Sequence, residues 1–337
     1  MPKNDFTAAL LNAIEDELRL AVRQTAGQGL GQFNHMLAYH MGWEGEGAGP
    51  EARGKRIRPL LVLLTCAACR GEWERALPAG AAVELLHNFS LIHDDIQDNS
   101  PTRRGRPTVW RKWGIAQAIN AGDAMLTLAH LTLLHLEKTV SPQVALQAAR
   151  SLQQACLLLT EGQYLDLAYE AHGNLSLDSY WHMVSGKTAA LLSACTELGA
   201  LTAGTSEAIR AACRQFGYSL GLAFQAQDDV LGIWGNAALT GKSAESDLVT
   251  GKKSLPIVYG IQQKGSFADR WAQGPIIPEE VPQLAVQLEV EGGREFATKA
   301  AGEMTRQALE SLDQANPQGE AGQALTILAH ELLGRQA

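Results

Sequence analysis

Runs of alanine and leucine at helical spacing dominate the sequence, and this feature most constrains the fold. After Pro59 these runs follow one another, separated by short clusters of glycine, proline or serine, whereas alternating strand-like segments are scarce. An amphipathic helix precedes them, since Ile14, Leu18 and Val22 are four residues apart between charged side chains. We therefore predict an all-α fold. Because no repeat or low-complexity tract divides the chain, we expect one large helical bundle, a single domain over residues 1–337.

The composition excludes several classes of protein. With 46% hydrophobic and 19% charged residues, the chain is neither disordered nor fibrous. The densest apolar stretches, Leu60–Cys69 and Ala124–Leu134, predict buried helices, because they are well short of the roughly 20 residues that a membrane span requires. A net charge of −8 argues against a surface built to bind nucleic acid.

The cysteines and the start of the chain indicate a cellular compartment. Five cysteines, an odd number spread over a long chain, do not form a disulfide framework, and the first residues do not resemble a secretory signal. We therefore expect a cytoplasmic protein. Cys66 and Cys69 have the spacing of metal ligands, but no second cysteine or histidine pair accompanies them, and core packing is the favoured interpretation.

The first of two aspartate clusters ends an apolar helical run. Asp94 and Asp98 are four residues apart and share one helix face, with His87 on nearly the same line. Since like charges repel there, a cation must offset them, and carboxylate oxygens on a rigid helix suit Mg²⁺. The alternative is a solvated acidic helix end.

The second cluster lies in an apolar segment. Gln225, Asp228 and Asp229 are flanked by Phe224 and Val230, which is not the pattern of a surface stripe. Two aspartate clusters on two helices of a bundle can face each other and hold several divalent cations.

Cationic residues are concentrated in short segments as well. Residues 53–58 hold four cations directly before Pro59, so side chains and the N–H groups of a helix start can bind an anion together. Arg103, Arg104 and Arg106 occupy a turn-like segment, and arginine is suited to bidentate phosphate contacts. For both segments the alternative is a solvated basic loop.

Three lysines complete the set. Lys187 lies in an apolar helical run and requires a counter-charge nearby. Lys242 and Lys252 lie in a glycine-punctuated segment that can close over a bound phosphate; for each lysine the alternative is an ordinary surface position. Metal-binding acids and phosphate-binding bases together indicate a metal-bridged diphosphate, and no Walker or dinucleotide glycine motif favours a nucleotide fold.

With these features the chain resembles the trans-isoprenyl diphosphate synthases. Seven ordered motifs carry the resemblance: GKRIRP (54–59), HNFSLIHDDIQD (87–98), RRGRPT (103–108), GQYLDL (162–167), GKT (186–188), FQAQDD (224–229) and GKKSLP (251–256). The resemblance implies a helical bundle of the class I isoprenoid synthase type and a homodimer. It also implies head-to-tail condensation of an allylic diphosphate with isopentenyl diphosphate, with about two or three Mg²⁺ ions per site.

The same resemblance implies a role for each site residue. The implied Mg²⁺ ligands are Asp94, Asp98 and Asp228, and less directly Asp95. The residues implied in binding the allylic substrate or its departing diphosphate are Arg103, Lys187, Thr188, Gln225, Lys242 and Lys252. The residues implied in holding isopentenyl diphosphate are Lys55, Arg58, His87 and Arg104. The catalytic set, which stabilises the leaving diphosphate, is Asp94, Asp98, Asp228, Lys187 and Lys252.

The chain departs from the family pattern at two positions. Gly232 stands where the second aspartate motif often has a third aspartate, and Arg53 stands where the first basic motif often has a glycine. Since Asp228 is the residue expected to reach the metal, we expect activity to survive.

The product length follows from the residues before Asp94. The bulky Phe89, five residues before it, and the small Ser90 are implied as the floor of the product tunnel, as in synthases of geranylgeranyl or farnesyl diphosphate. We expect the geranylgeranyl product, with farnesyl diphosphate as the alternative; Phe89 as an ordinary core residue is the competing interpretation. A terpene cyclase has no use for the basic set around His87, and a non-catalytic subunit is expected to lose site residues.

Overall fold

The structure, a computed structural model, describes residues 5–25, 27–170, 175–235 and 247–334. Helices make up most of these ranges, and the strands they contain are the short β1 (Thr102–Arg103) and β2 (Arg106–Pro107), paired antiparallel. The predicted all-α class is confirmed. None of the helices within the described ranges combines the length and apolar character needed to cross a bilayer.

The helices are numbered here in chain order. The first nine are α1 (Asp5–Arg23), α2 (Gly31–His40), α3 (Pro50–Arg53), α4 (Ile57–Ala68), α5 (Leu77–Gln97), α6 (Val109–Trp113), α7 (Ile115–Leu134), α8 (Pro142–Glu170) and α9 (Leu177–Val184). A π-helical segment, Ser185–Ala189, follows α9. The remaining helices are α10 (Ala190–Thr202), α11 (Glu207–Trp234), α12 (Asp247–Thr250), α13 (Leu255–Gln263), α14 (Ser266–Trp271), α15 (Val281–Val290), α16 (Gly293–Ala315) and α17 (Gly319–Leu333).

The chain divides into two compact units. The first unit consists of Met1–Gln153, Cys195–Arg210 and Pro317–Leu325. The second unit consists of Gln154–Ala194, Ala211–Asn316 and Thr326–Ala337. The expectation of one domain for residues 1–337 stays a prediction.

In the first unit the core lies around α4 and α5. Residues 59–66 of α4 and 79–86 of α5 are buried without interruption, because both helices are apolar there except at Thr65 and at Glu84, whose carboxylate is paired with Arg56. The predicted amphipathic α1 packs its apolar face inward, with Ile14 and Leu18 almost fully buried. Helix α5 therefore runs through the core of the first unit, and its C-terminal end carries the first aspartate cluster.

One expectation from the sequence is wrong in part. On α7 the stretch Ala124–Leu134 buries Met125 and Leu133, but Leu131 and Leu134 are 45% and 56% exposed, because only the inner face of the helix packs on α5.

In the second unit one buried cluster joins four helices. It contains Tyr180 of α9, Ala226 of α11, Val258 of α13 and Ala297 of α16. These contacts hold the C-terminal half of α11, where the second aspartate cluster lies, against the start of α13.

Candidate active site

The first aspartate cluster lies at the C-terminal end of α5. Asp94 occupies the last turn, and Asp98 is the C-cap residue, whose N–H donates to the Asp94 carbonyl at 2.9 Å. The C-terminal end of a helix already carries a partial negative charge, so carboxylates there are electrostatically unfavourable unless cations accompany them. The position of this cluster therefore favours a cation site over a simple solvated helix end.

A β-hairpin with a two-residue turn carries Arg103 and Arg104, which follow the aspartates in the sequence. Arg104 and Gly105 form the turn between β1 and β2, with φ values of 52° and 72°, as in a type I′ turn. Arg103 turns toward α5, where its Nε donates to Asp95 Oδ1 at 2.8 Å. Arg104 turns toward the first basic segment, where its Nη1 donates to the Ala52 carbonyl at 3.0 Å. The hairpin thus separates two arginines that are adjacent in sequence.

Asp95 and Asp94 are in different environments. Asp95 is 2% exposed, and burial raises the pKa of its carboxyl to about 6 although Arg103 acts in the opposite direction. Asp94 is more accessible and accepts from Arg103 Nη2 through Oδ2 at 3.3 Å. Of the aspartates predicted to bind metal in this segment, Asp95 is the one turned into the protein.

The four residues predicted to hold isopentenyl diphosphate line one cleft of the first unit. This cleft, of about 600 Å³, is lined by Lys55, Arg58, His87 and Arg104, among others. Arg58 Nη1 donates to His87 Nε2 at 3.1 Å. Burial, followed by the charges of Arg58 and Arg104, lowers the pKa of His87 well below its ordinary value. His87 is therefore a neutral hydrogen-bonding group among cations.

The glycine of the first basic motif is required by this geometry. Gly54 has a φ of 76°, which favours glycine, and a Cβ atom there would lie 2.6 Å from Nη2 of Arg104. The close approach of the backbone at Gly54 is what brings Arg104 beside Lys55.

Two arginines from the predicted anion-binding segments hold the scaffold instead. Arg56 is buried and donates to Glu84 at 2.8 Å and to Glu15 at 3.0 Å. Arg106 is also buried; it donates to three backbone carbonyls, and its guanidinium lies 3.9 Å from the centre of the Tyr39 ring. The expectation that each whole segment binds an anion is therefore corrected for these two side chains.

In the second unit Asp229 is the centre of a hydrogen-bond network. It is 1% exposed and accepts from Tyr180 Oη at 2.5 Å, from Gln225 Nε2 at 2.8 Å and from the Leu255 N–H at 2.7 Å. Leu255 is the first residue of α13, so Asp229 caps that helix. Burial, and then the Asp229 charge, raise the pKa of Tyr180 well above its ordinary value, so the phenol stays protonated and keeps donating.

Lys252 lies within the field of four carboxylates. Burial lowers the pKa of Lys252, but Asp229, Asp247, Asp228 and Asp166 outweigh it, and the net shift is upward. Asp166 and Asp247 are not among the site residues predicted from the sequence. Two features of the sequence could have identified them: Asp166 is the acid of the GQYLDL motif, and Asp247 precedes Lys252 by little more than one helical turn.

A contact between two glycines positions Lys187. A Cβ atom on Gly162 of α8 would lie 2.1 Å from the backbone nitrogen of Lys187, and one on Gly186 would lie 2.6 Å from the Leu158 carbonyl oxygen. The two backbones therefore touch without intervening side chains. Lys187, within the π-helical segment, donates to Asp166, which is the counter-charge that the sequence required. Such π-helical turns are frequent at functional sites.

Thr188 and Gln225, both predicted to bind the allylic substrate, are bonded to each other. Thr188 Oγ1 donates to Gln225 Oε1 at 3.0 Å, and the amide nitrogen of Gln225 donates to Asp229. The pair thus links the π-helical segment to α11. Lys242 lies outside the described residues.

Gly232, the departure in the second aspartate motif, lies against another acid. A Cβ atom on Gly232 would be 2.3 Å from Oδ2 of Asp247. The carboxylate of Asp247 therefore occupies the space into which a side chain at position 232 would extend.

The family can now be assigned by comparison with known proteins. Residues 49–277, more than half of the chain, match the Polyprenyl synthetase family. The chain belongs to the polyprenyl synthetase family. It is 38% identical to the (2E,6E)-farnesyl diphosphate synthase of Mycobacterium tuberculosis strain H37Rv over 98% of this chain and 94% of that relative. It is likewise 38% identical to the geranylgeranyl diphosphate synthase of that strain, over 91% and 93% of the two chains.

A solved structure agrees with this assignment. The polyprenyl synthetase from Streptomyces coelicolor A3(2) is 36% identical, with a TM-score of 0.85 over 97% of this chain and 99% of that one. The resemblance to trans-isoprenyl diphosphate synthases is confirmed, and this polyprenyl synthetase is a short-chain prenyltransferase with the all-α isoprenoid synthase fold.

In this polyprenyl synthetase, the two residues predicted to set product length lie on different faces of α5. At 3.6 residues per turn, Ser90 lies about 40° from Asp94 around the helix, whereas Phe89 lies about 140° away. Ser90 Oγ donates to the His87 carbonyl at 2.8 Å. The Phe89 ring meets the edge of His93, with the two ring centres 4.9 Å apart. The roles of both residues in setting product length stay predictions.

Proposed function

We propose that this polyprenyl synthetase condenses isopentenyl diphosphate head to tail with allylic diphosphates and makes geranylgeranyl diphosphate. Farnesyl diphosphate is the second candidate product, because relatives of equal identity carry each name. The observation that carries the proposal is that the first unit contains two charged environments of different composition. One combines Arg103 with the aspartates of α5, and the other is the basic cleft around Arg58 and His87.

We propose that the aspartate environments hold Mg²⁺ on the allylic diphosphate. Asp94, Asp98 and Asp228 would be the principal ligands, with Asp95 more remote because it is buried against Arg103. Within the described ranges no three His, Cys, Asp or Glu side chains come close enough to hold an ion by themselves. This donor set suits Mg²⁺, which commonly takes one or two carboxylates and completes its shell with water and substrate phosphate. The metal would stabilise the charge that develops on the leaving diphosphate.

The basic cleft suits a diphosphate that must stay attached. Lys55, Arg58 and Arg104 supply positive charge, and neutral His87 supplies a hydrogen bond. The carboxylate of Glu84 in the cleft is already paired with Arg56. Isopentenyl diphosphate bound there needs only to be positioned, so that its double bond attacks the allylic carbon.

The remaining cations would act on the departing diphosphate. Lys187 donates to Asp166, and the carboxylates around Lys252 raise its pKa, so that the Lys252 ammonium stays charged. A diphosphate offers each of them a stronger anionic partner. We assign Arg103, Lys187, Lys242 and Lys252 to this group, together with the neutral side chains Thr188 and Gln225, which would hydrogen-bond to the allylic substrate or its diphosphate.

We further propose a cytoplasmic homodimer. Four large apolar side chains on α7, Ile115, Ile119, Leu131 and Leu134, are between 42% and 56% exposed in the single chain. A second copy of the chain that packs on this helix would remove them from water.

The proposal is tested by product analysis of the purified chain. With Mg²⁺, dimethylallyl diphosphate and isopentenyl diphosphate, we expect mainly a twenty-carbon diphosphate by liquid chromatography and mass spectrometry, and no product when the metal is chelated. A fifteen-carbon product would select the second candidate. Hydrocarbon release from an allylic diphosphate alone would indicate a cyclase, and the absence of turnover would indicate a non-catalytic subunit.

A further inference from the structure

A small polar cavity lies behind the first aspartate cluster. Its volume is about 20 Å³, and its lining includes His40, Asp95, Arg103, Arg104 and Arg106. One buried water needs about 10–15 Å³ of such space and two to four polar partners. The cavity therefore has the size and the polarity for a single water molecule.

Two of these lining residues each have one buried polar atom without a hydrogen-bond partner within the described part of the chain. The two atoms are Nε2 of His40 and Oδ2 of Asp95, and neither is reached by solvent. Buried polar atoms in folded proteins are almost always hydrogen-bonded, so two unsatisfied atoms on residues that line one cavity are a strong sign of a missing partner.

The charges around the cavity restrict what the partner can be. Burial, and then the charges of Arg103, Arg104 and Arg56, lower the pKa of His40 to about 3, although a side-chain hydrogen bond with Asn88 acts in the opposite direction, so the ring is neutral. The Asp95 carboxylate accepts hydrogen bonds and repels an anion. The positive charges of the surrounding arginines repel a metal cation. Water satisfies both atoms, because it donates to the carboxylate and pairs with either tautomer of the ring.

We propose that this cavity holds one ordered water that bridges His40 and Asp95, and that His40 is thereby a positioning residue for Arg103. The other oxygen of Asp95 accepts from Arg103 Nε at 2.8 Å, and the same guanidinium reaches Asp94 at 3.3 Å. With both oxygens fixed, Asp95 cannot rotate, and Arg103 is held in one orientation at the aspartate cluster. The inference rests on the proposed function of Arg103 in binding the allylic diphosphate.

Substitutions of His40 test the inference. His40→Leu removes the ring nitrogens at similar volume, and we expect the KM for the allylic diphosphate to rise about three- to tenfold, the loss of roughly one hydrogen bond. The kcat and the KM for isopentenyl diphosphate should change less than about twofold. His40→Gln, which keeps a polar atom in reach, should restore most of the affinity; a merely structural histidine would not show this pattern. The matched control is His182→Leu, at an exposed histidine of α9.

A crystal structure of the wild-type enzyme gives a second, independent measurement. We expect a water within hydrogen-bond distance of His40 and Asp95, and its loss in His40→Leu. If His40→Leu does not fold, His40→Asn, whose amide is too short to span the cavity, takes its place. A dry cavity, or equal KM values for His40→Leu and His40→Gln, overturns the inference.

Arg103→Lys separates this inference from the proposed function. A raised KM for the allylic diphosphate in Arg103→Lys, with no change in His40→Leu, overturns the inference and leaves the proposed function intact. An unchanged KM in Arg103→Lys contradicts the role of Arg103 itself.

Discussion

At the scale of single residues, burial separates side chains of the same type into different tasks. Arg56 and Arg58 lie two positions apart in one basic motif and both line the basic cleft, yet the Arg56 guanidinium is paired with Glu15 and Glu84, whereas that of Arg58 donates to His87. The motif alone does not distinguish them, because both are arginines in a cationic run. The distinction follows from the carboxylates that the fold brings to Arg56.

We predict that Arg56→Met mainly lowers stability, whereas Arg58→Met mainly weakens the binding of isopentenyl diphosphate. Arg56→Met leaves Glu84 buried without its cation, and the free energy of unfolding should fall by about 3–5 kcal/mol. Arg58→Met should instead raise the KM for isopentenyl diphosphate, by about tenfold or more, with a smaller loss of stability. Urea unfolding and steady-state kinetics on both variants measure the difference. Equal losses of stability in the two variants would contradict it.

A second prediction concerns the pH dependence of stability. The pKa of His40 is lowered to about 3 in the folded protein and is near 6.5 in the unfolded chain. Between these two pH values the unfolded state binds a proton at His40 that the folded state does not bind. Stability is therefore fully present above pH 6.5 and falls as the pH drops toward 3, by up to about 1.4 kcal/mol per pH unit from this group.

Comparison with His40→Gln isolates that contribution. Urea unfolding at pH 7.5 and pH 5.5 should show a larger loss for the wild type than for the variant, since every other titrating group is common to both. Identical losses would mean that His40 titrates normally.

At the scale of elements, glycines decide how closely segments approach. Gly162 of α8 and Gly186 of the π-helical segment allow backbone contact, and this contact carries Lys187 to Asp166. The GQYLDL and GKT motifs therefore act as one structural unit, although more than 15 residues separate them in the sequence.

We predict that Gly162→Ala damages this unit. The added methyl group would lie 2.1 Å from the backbone nitrogen of Lys187, and such overpacking costs about 1–3 kcal/mol. The kcat should fall together with the unfolding temperature, because Lys187 is moved relative to Asp166. The matched control is Gly302→Ala on α16, where a Cβ atom meets nothing within 4 Å and the helix should gain about 0.5–1 kcal/mol.

Another element-scale prediction concerns Gly232. Placing an aspartate there would supply the acid that relatives often have, but its Cβ would lie 2.3 Å from the carboxylate of Asp247. We expect Gly232→Asp to displace Asp247 and α12, and to lower kcat by about tenfold or more instead of raising it. Kinetics with saturating Mg²⁺ measure this. A gain of activity would show that position 232 accepts a third acid without disturbing Asp247.

At the scale of the whole molecule, the length of the product shows how far the prenyl chain can grow inside the protein. If Phe89 closes the product tunnel, Phe89→Ala should shift the product from twenty carbons to longer chains, as measured by chromatography. Ser90→Ala is the control, because it leaves the volume on the Asp94 face nearly unchanged. An unchanged chain-length distribution in Phe89→Ala would assign Phe89 to core packing against His93.

The sequence by itself determined the helical class and the family, and it predicted the residues of the candidate site. These conclusions depend on local spacing: apolar periodicity in the helices, and short motifs whose members are within a few residues of each other. The cleft that brings Lys55, Arg58, His87 and Arg104 together agrees with the grouping that the motifs implied.

Only the tertiary structure decided which of these residues serve the scaffold. Arg56 meets Glu15 across 41 positions, and Asp229 meets Tyr180 across 49. No local pattern encodes such pairs, because they form only when distant helices pack and enclose a charge together with the polar groups that the packing brings to it. The same reason explains why Asp247 beside Gly232 and His40 near Asp95 became visible only in the fold.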